Sequence, residues 1–584
     1  MSSKSAHTFI VVGGGLAGLM TTIKIAESGH RVKLFSIVPV KRSHSVCAQG
    51  GINAAKNTKG EGDSTWQHFD DSVYGGDFLA NQPLVKGMCD AAPAIVDLLD
   101  RMGVMFNRTP EGLIDLRRFG GTLFHRTAFA GATTGQQIIY ALDEQVRRFE
   151  VEGQVDKYEG WHFLSAVLDD QQACRGIVAM NLNSMEVKGF AADGVVLCTG
   201  GPGMIFGKST NSSICTGSAV SAVYQQGAVF ANGEFIQIHP TAIPGEDKLR
   251  LISESARGEG GRLWTYKDGK PWYFLEEWYP KYGNLVPRDI ASRAIFKVCR
   301  EMKLGIDGKD IVYLDLTHKD PKELDIKLGG ILEIYEKYVG EDPRKVPMKV
   351  FPAVHYSMGG LWIDYSHMTN IKGLFACGEC DYQYHGANRL GANSLMSCLY
   401  GGQVAGQAMV KYASGLSNGS DTVPLSLLEN EAERERRINE NLMKKAGKEN
   451  VFKIWKEMGE WMTSHVTVIR YDKDLINTDA KLSELLDRCE QSTLPDRSAW
   501  ANQTLVFARD LYNMLHLARA ITLGALARKE SRGSHYKPDY PERNDADWLK
   551  TTLAKFDMKK GPQISYEPVD ISLIKPRPRK YDVK

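Results

Sequence analysis

The sequence of 584 residues contains no run of about 18 apolar residues, so no helix in it is expected to cross a bilayer. It has no surplus of either charge. The 72 Lys+Arg and 70 Asp+Glu leave a formal +2, which gives no reason to propose a nucleic-acid partner. The apolar run Phe9-Ile10-Val11-Val12 breaks at Gly13-Gly14-Gly15 without a cleavage site, so a secretory leader is not read here and a cytoplasmic protein is expected. Ten cysteines lie scattered and are expected to be free thiols. Cys377-Gly378-Glu379-Cys380 is a lone CxxC without the second pair that a zinc or iron–sulfur site needs, so no metal is expected.

What is present begins with a strand at 8–12, then Gly13-Gly14-Gly15-Leu16-Ala17-Gly18, then a helix at 16–28 closed by Gly29 and a second strand at 32–35. This is the G-x-G-x-x-G signature in its βαβ setting, where the glycines admit a pyrophosphate to the N-terminus of the helix. One part is missing. Ser36 stands where a ribose-binding acid belongs, which weakens a nicotinamide reading more than a flavin one. Further on, a buried strand runs into Thr199-Gly200-Gly201, a second close-approach turn expected to return to the nucleotide. A helix is expected over 136–149.

The stretch Arg42-Ser43-His44-Ser45-Val46-Cys47-Ala48-Gln49-Gly50-Gly51 follows the signature and holds one histidine between two hydroxyls. On spacing alone such an imidazole is an ordinary loop residue. Beyond residue 230 the character changes. Phe235 to Thr241 alternates as a strand, placing Gln237 and His239 on one face, and 244–350 reads as an insertion before the nucleotide domain resumes. His239, Glu254, Arg257, Arg288, His355 and Arg389 lie beside glycines or prolines on both sides of that insertion. Three guanidiniums and two imidazoles would clamp a small dianion, since guanidinium pairs bidentately with carboxylate.

The expected fold is α/β. A Rossmann-like dinucleotide-binding domain (1–243 and 351–424) is interrupted by an inserted α+β capping domain (244–350). A helical bundle (425–530) and a polar tail (531–584) follow. The tail, with basic Lys575-Pro576-Arg577-Pro578-Arg579-Lys580, reads as a solvated extension, with docking on a partner subunit as the sharper reading.

Over nearly its whole length the chain resembles the flavoprotein subunit of succinate dehydrogenase and fumarate reductase (complex II). The carrying motifs are Arg42-Ser43-His44 with Ala48-Gln49-Gly50-Gly51, Gln237-x-His239-Pro240-Thr241, Arg257-Gly-Glu-Gly-Gly261, Arg288-Asp289, His355-Tyr-x-Met-Gly-Gly360 and His385-Gly-Ala-Asn-Arg-Leu-Gly391. In detail it is most similar to the menaquinone-linked bacterial type paired with a di-haem cytochrome b. The resemblance implies FAD held covalently through His44. Gly13, Gly14, Gly15, Leu16, Ala17 and Gly18 would lie on the pyrophosphate, with Ser36, Ser43, Ser45, Gln49, Gly50, Gly51, Thr199, Gly200, Ser394 and Leu395 also on the cofactor. Glu379 would take the ribose-side hydroxyls, answering the acid missing at Ser36. His239, Ser253, His355, Arg389 and Gln237 would bind the dicarboxylate, with Arg389 also against the flavin. Arg288 would transfer the proton, relayed through Arg257 and Glu254. An arginine stays protonated in water, yet it is a natural donor in fumarate reduction, and microscopic reversibility assigns it to the reverse step.

Two departures stand out: Thr216-Gly217-Ser218 lacks the acid that many relatives carry there, and Ser253 replaces a threonine. The implied partners are succinate and fumarate, an iron–sulfur subunit and a membrane-anchor cytochrome b. The chain itself has no cluster-binding cysteine pattern, so the electrons must leave through another subunit. The implied place is peripheral, on the cytoplasmic face of the cell membrane. The rivals are a fumarate reductase running the other way, L-aspartate oxidase, which lacks the attachment histidine, and a non-catalytic flavin scaffold.

Overall fold

The computed structural model describes residues 6–245 and 249–581. The strand Thr8–Val12 consists of β-branched and aromatic residues, and Phe9, Ile10 and Val11 are fully buried, as a central parallel strand covered on both faces requires. It lies third in a five-stranded parallel sheet ordered Leu374–Ala376, Gly194–Leu197, Thr8–Val12, Arg31–Ser36, Val155–Glu159. Helix Leu16–Glu27 follows the first strand and packs on the long helix Asn393–Ala413. Gly402 permits that approach, since a Cβ there would stand 2.7 Å from the Ala17 carbonyl oxygen. The expected helix over 136–149 is Thr134–Val151.

A six-stranded antiparallel sheet runs Arg250–Leu251, Ile236–Ile243, Met348–Ser357, Val312–Asp315, Arg262–Lys267, Lys270–Trp272. The segment proposed as an insertion therefore hangs from the two long strands that carry His239 and His355. It has its own apolar core, including Ile252, Leu263, Leu314 and Leu328. Helix Arg288–Phe296 packs on the Ile236–Ile243 strand. Four helices, Leu425–Lys444, Val451–His465, Asp472–Glu490 and Gln503–Ala527, make up the later helical region.

The solvated extension expected at 531–584 is overturned over 531–581; residues 582–584 lie outside the described residues. Strands Lys550–Lys555 and Gln563–Pro568 extend a sheet begun by Phe230–Ala231. Arg528 and Arg532 are fully buried around Glu530, with Arg528 also on Glu234. Arg579 is buried on Asp289, and Tyr581 enters the core of the inserted segment. Charge pairing and a terminal aromatic tie the segment down, although its composition reads as solvated.

Candidate active site

The first strand ends at Val12, just before Gly13, and Gly15 caps helix Leu16–Glu27 without a side chain. Gly18 is dictated by packing: a Cβ on it would lie 1.8 Å from the Gly13 carbonyl oxygen. Gly15 differs, for the nearest atom to its absent Cβ is Ser45 Oγ at 3.2 Å, so the space it leaves serves a ligand rather than the fold. A narrow cavity over this helix start is lined by Gly13, Gly14, Gly15, Leu16 and Ala17 on one side. Ser36, Ser43, His44, Ser45, Thr199, Gly200 and Glu379 are also among its lining residues. Thr216, Gly217 and Ser218 line it too, and Ser218 Oγ accepts from Asn513 Nδ2 at 2.8 Å.

A second cavity of about 480 Å³, in the range of small-molecule sites, opens beside the first. Gln49, Gly50, Gly51, His239, Ser253, Glu254, Arg288, His355, Arg389, Ser394 and Leu395 line it. His44, Ser45 and Glu379 line both cavities and stand at their junction. The Ser212 backbone N–H donates to His44 Nδ1 at 3.2 Å, and Asn211 Nδ2 lies 3.3 Å from its Nε2.

The charged residues form one network. Glu254 accepts from Arg257 Nη2 at 2.5 Å on Oε1 and from Arg288 Nε at 2.9 Å on Oε2, with Arg288 Nη2 forming an ion pair 2.8 Å from the same oxygen. Burial would raise the Glu254 carboxyl, but Arg288 and Arg257 hold it below its ordinary value, so it is an anion between two cations. Arg288 Nη1 donates to Gln237 Oε1 at 2.9 Å. Two of the five N–H groups of Arg288 are thus bonded within the protein, and the residue lines the cavity.

Two expected site residues, one from the proton relay and one from the substrate set, stand behind the wall. Arg257 also donates to the Asn284 and Val286 carbonyls and does not line the cavity, so it acts on Glu254. Gln237, expected on the substrate, donates instead to Asn388 Oδ1 at 3.0 Å and the Arg389 carbonyl at 2.7 Å, and likewise does not line it.

The two imidazoles are held neutral. Burial and then Arg288 push His239 well below its ordinary value, and the same two causes act on His355. His239 Nδ1 accepts from the Thr241 backbone N–H at 3.2 Å, which places the proton of the neutral ring on Nε2. That Nε2 is buried without a partner among the described residues, as are Arg389 Nε, Ser43 Oγ and Thr199 Oγ1. Buried polar atoms are ordinarily paired, and these four belong to residues that line the two cavities, where a bound group would be within their reach. Arg389, lowered to about 9 by burial and then by Arg288, lies 4.3 Å over the Tyr356 ring. Burial raises Glu379 to about 7 against the pull of the Ser357 N–H.

Sequence reasoning missed Thr210, whose hydroxyl meets His355 Nδ1 at 2.7 Å, and the Asn211-Ser212 pair on His44. The polar run Ser209-Thr210-Asn211-Ser212 reads as an ordinary loop, and no spacing in it signals a site. Tyr356, stacked on Arg389 and bonded to His385 Nε2 at 3.2 Å, was seen only as part of a motif.

Residues 8–395 match the family described as FAD binding domain, and residues 455–581 match the one described as fumarate reductase flavoprotein C-term. The succinate dehydrogenase flavoprotein subunit of Bacillus subtilis (strain 168) is 68% identical over 581 residues, covering 99% of each chain. The fumarate reductase flavoprotein subunit of Escherichia coli (strain K12) is 36% identical over 586 residues, covering 98% of this chain and 95% of the relative. A solved E. coli quinol fumarate reductase chain superposes with a TM-score of 0.93 at 34% identity, covering 99% of both.

Proposed function

Since the chain belongs to the family of succinate dehydrogenase and fumarate reductase flavoprotein subunits, we infer that it oxidises succinate to fumarate and passes the electrons to an iron–sulfur subunit and on to quinone. The observation that carries this reading is the junction at His44, where the glycine-walled cavity opens into one lined by Arg288, Arg389, His239 and His355.

The residues present fit FAD. The helix start behind Gly15 and the orphaned hydroxyls of Ser43 and Thr199 would hold it, with Glu379 toward its ribose side. Bound FAD supplies the acceptor for the hydride that succinate gives up. His44 is proposed as its covalent tether. The Ser212 N–H occupies the Nδ1 lone pair, the one an imidazole substituted on Nε2 would retain. His239 and His355 donate to the substrate carboxylates as neutral rings, while Arg389 supplies positive charge. In succinate oxidation Arg288, having passed a proton to Glu254, takes the substrate proton at a guanidine nitrogen; in fumarate reduction it donates from an N–H not spent on Glu254 or Gln237. Glu254, an anion against Arg288, stabilises its positive charge and relays the proton, and Arg257 acts on Glu254. Gln237 is proposed as an orienting residue for Arg288.

The 68% relative is a succinate dehydrogenase subunit and the fumarate reductase relatives stand at 35–36%, which favours the oxidative direction. The family's association with partner subunits supports peripheral membrane attachment. A cytochrome b anchor and the cytoplasmic face are the finer proposals. Arg288→Ala is expected to keep its flavin and lose about 10³-fold or more in succinate-dye turnover; substantial residual turnover refutes the role. Flavin fluorescence should stay on the denatured gel band, and complete release by acid precipitation refutes the tether. Comparing succinate oxidation with fumarate reduction in isolated membranes tests the direction.

A further inference from the structure

We propose that segment 577–581 is a strap that positions Arg288: by gripping Asp289, Arg579 sets where the Arg288 guanidinium lies in the substrate cavity. Asp289 follows Arg288 in the first turn of helix Arg288–Phe296. Its carboxylate takes Arg579 Nη1 at 2.5 Å on Oδ2 and Nη2 at 3.0 Å on Oδ1, a bidentate pair with both side chains nearly fully buried. Arg293, one turn on, adds a longer contact at 3.4 Å.

The strap reaches both lobes. Arg577 pairs with Asp70 at 2.8 and 2.6 Å, and the Tyr74 hydroxyl meets the Lys580 backbone N–H at 2.6 Å. Asp70 and Tyr74 sit on helix Thr65–Gly75, whose Phe69 and Val73 belong to the core under the parallel sheet. At the other end Tyr581 is buried in the core of the inserted segment, with ring centroids 5.0 Å from Tyr282 and 5.5 Å from Tyr74. The helix start that bears Arg288 therefore cannot shift without dragging a buried ion pair with it.

The dicarboxylate ligands lie elsewhere. His239 and His355 are on strands Ile236–Ile243 and Met348–Ser357, and Arg389 precedes helix Asn393–Ala413. Among the described residues none of them bonds to Asp289, Arg577 or Arg579, and Ser292 Oγ on the Ile238 carbonyl holds the rest of the helix to the His239 strand, so slackening the strap moves chiefly the helix start that bears Arg288. The loss belongs in kcat, with KM and dicarboxylate affinity unchanged.

The inference rests on the succinate-oxidising reading, and the test uses the full chain in its membrane complex. Arg579→Met is expected to lower kcat by about 30- to 100-fold, the scale of an ångström-sized misplacement. Flavin content, KM for succinate and the dissociation constant of malonate should hold within about two-fold, a spread within ordinary context effects. Arg579→Lys should recover part of the rate, because it restores the charge but not the fork. An unchanged kcat, or a loss that falls on KM and malonate binding, overturns the proposal. Should Arg579→Met fail to assemble, Arg577→Gln decides: cutting that part-exposed pair is expected to lower kcat about three-fold at constant KM, and no change overturns the strap. A wild-type complex that does not oxidise succinate overturns the underlying reading and the strap with it; wild-type turnover with unaffected variants overturns the strap alone.

Discussion

Glu254 is the residue on which most of the site's electrostatics turns. Its carboxylate is fully buried and faces two guanidiniums, each of which would otherwise be a buried charge without a counter-ion. Glu254→Gln keeps the shape and one acceptor oxygen but removes the negative charge. It is expected to cost about 3 kcal/mol of stability, the scale of breaking a buried pair, and to lower succinate turnover at least about 100-fold. Denaturant unfolding and steady-state kinetics on the same preparation check both halves. Wild-type turnover from a stable Glu254→Gln protein would remove Glu254 from the relay.

At the scale of an element, two glycines in one signature do different work. Gly18→Ala drives a methyl into the Gly13 carbonyl oxygen and should prevent the first strand–helix unit from closing, giving little soluble protein. Gly15→Ala meets only Ser45 Oγ at 3.2 Å; it should give folded chain that fails to hold FAD, read from the flavin-to-protein absorbance ratio. Equal behaviour of the two variants would contradict the assignment of space at Gly15 to the ligand. This unit was legible in the sequence because everything it needs lies within about 30 residues: strand 8–12, the glycines, the helix and strand 31–36. The cationic cavity was legible only through its motifs, since its residues come from strands and turns more than 100 positions apart. Periodicity did place Gln237 and His239 on one strand, but nothing local showed that Gln237 turns to Arg288. The strap was misread because composition reports solvation and not pairing: Arg579 and Asp289 meet across 290 positions.

For the whole molecule, acid should be destabilising. Burial first, then nearby Arg126, brings His68 down to about 3, and burial brings His367 to about 4, so both rings stay neutral in the fold. In the unfolded chain they take protons below about 6.5, and each then withdraws about 1.4 kcal/mol of stability at pH 5.5. His239, His355, His385 and His535, all lowered first by burial, act in the same direction. Glu379 and Asp381 oppose them. Burial raises both to about 7, so the fold binds their protons first and gains about 2 kcal/mol from each between pH 7.5 and 5.5. The six imidazoles outweigh the two carboxyls, and the thermal midpoint is expected to lie several degrees lower at pH 5.5 than at 7.5. A higher midpoint in acid would show that the carboxyls dominate.

The strand order of the parallel sheet also sets a schedule for synthesis. Thr8–Val12 finds one neighbour at Arg31–Ser36 almost at once, but its other neighbour is Gly194–Leu197, and that strand pairs in turn with Leu374–Ala376. At about 5–20 residues per second, translation brings out the last of these roughly 20–70 s after the first. Through that interval an apolar strand edge waits on the nascent chain, which is when aggregation competes with folding. His44 leaves the ribosome early, yet the Ser212 amide that orients it follows about 170 residues later. The proposed tether at His44 would therefore have its amide partner in place only once synthesis is well advanced.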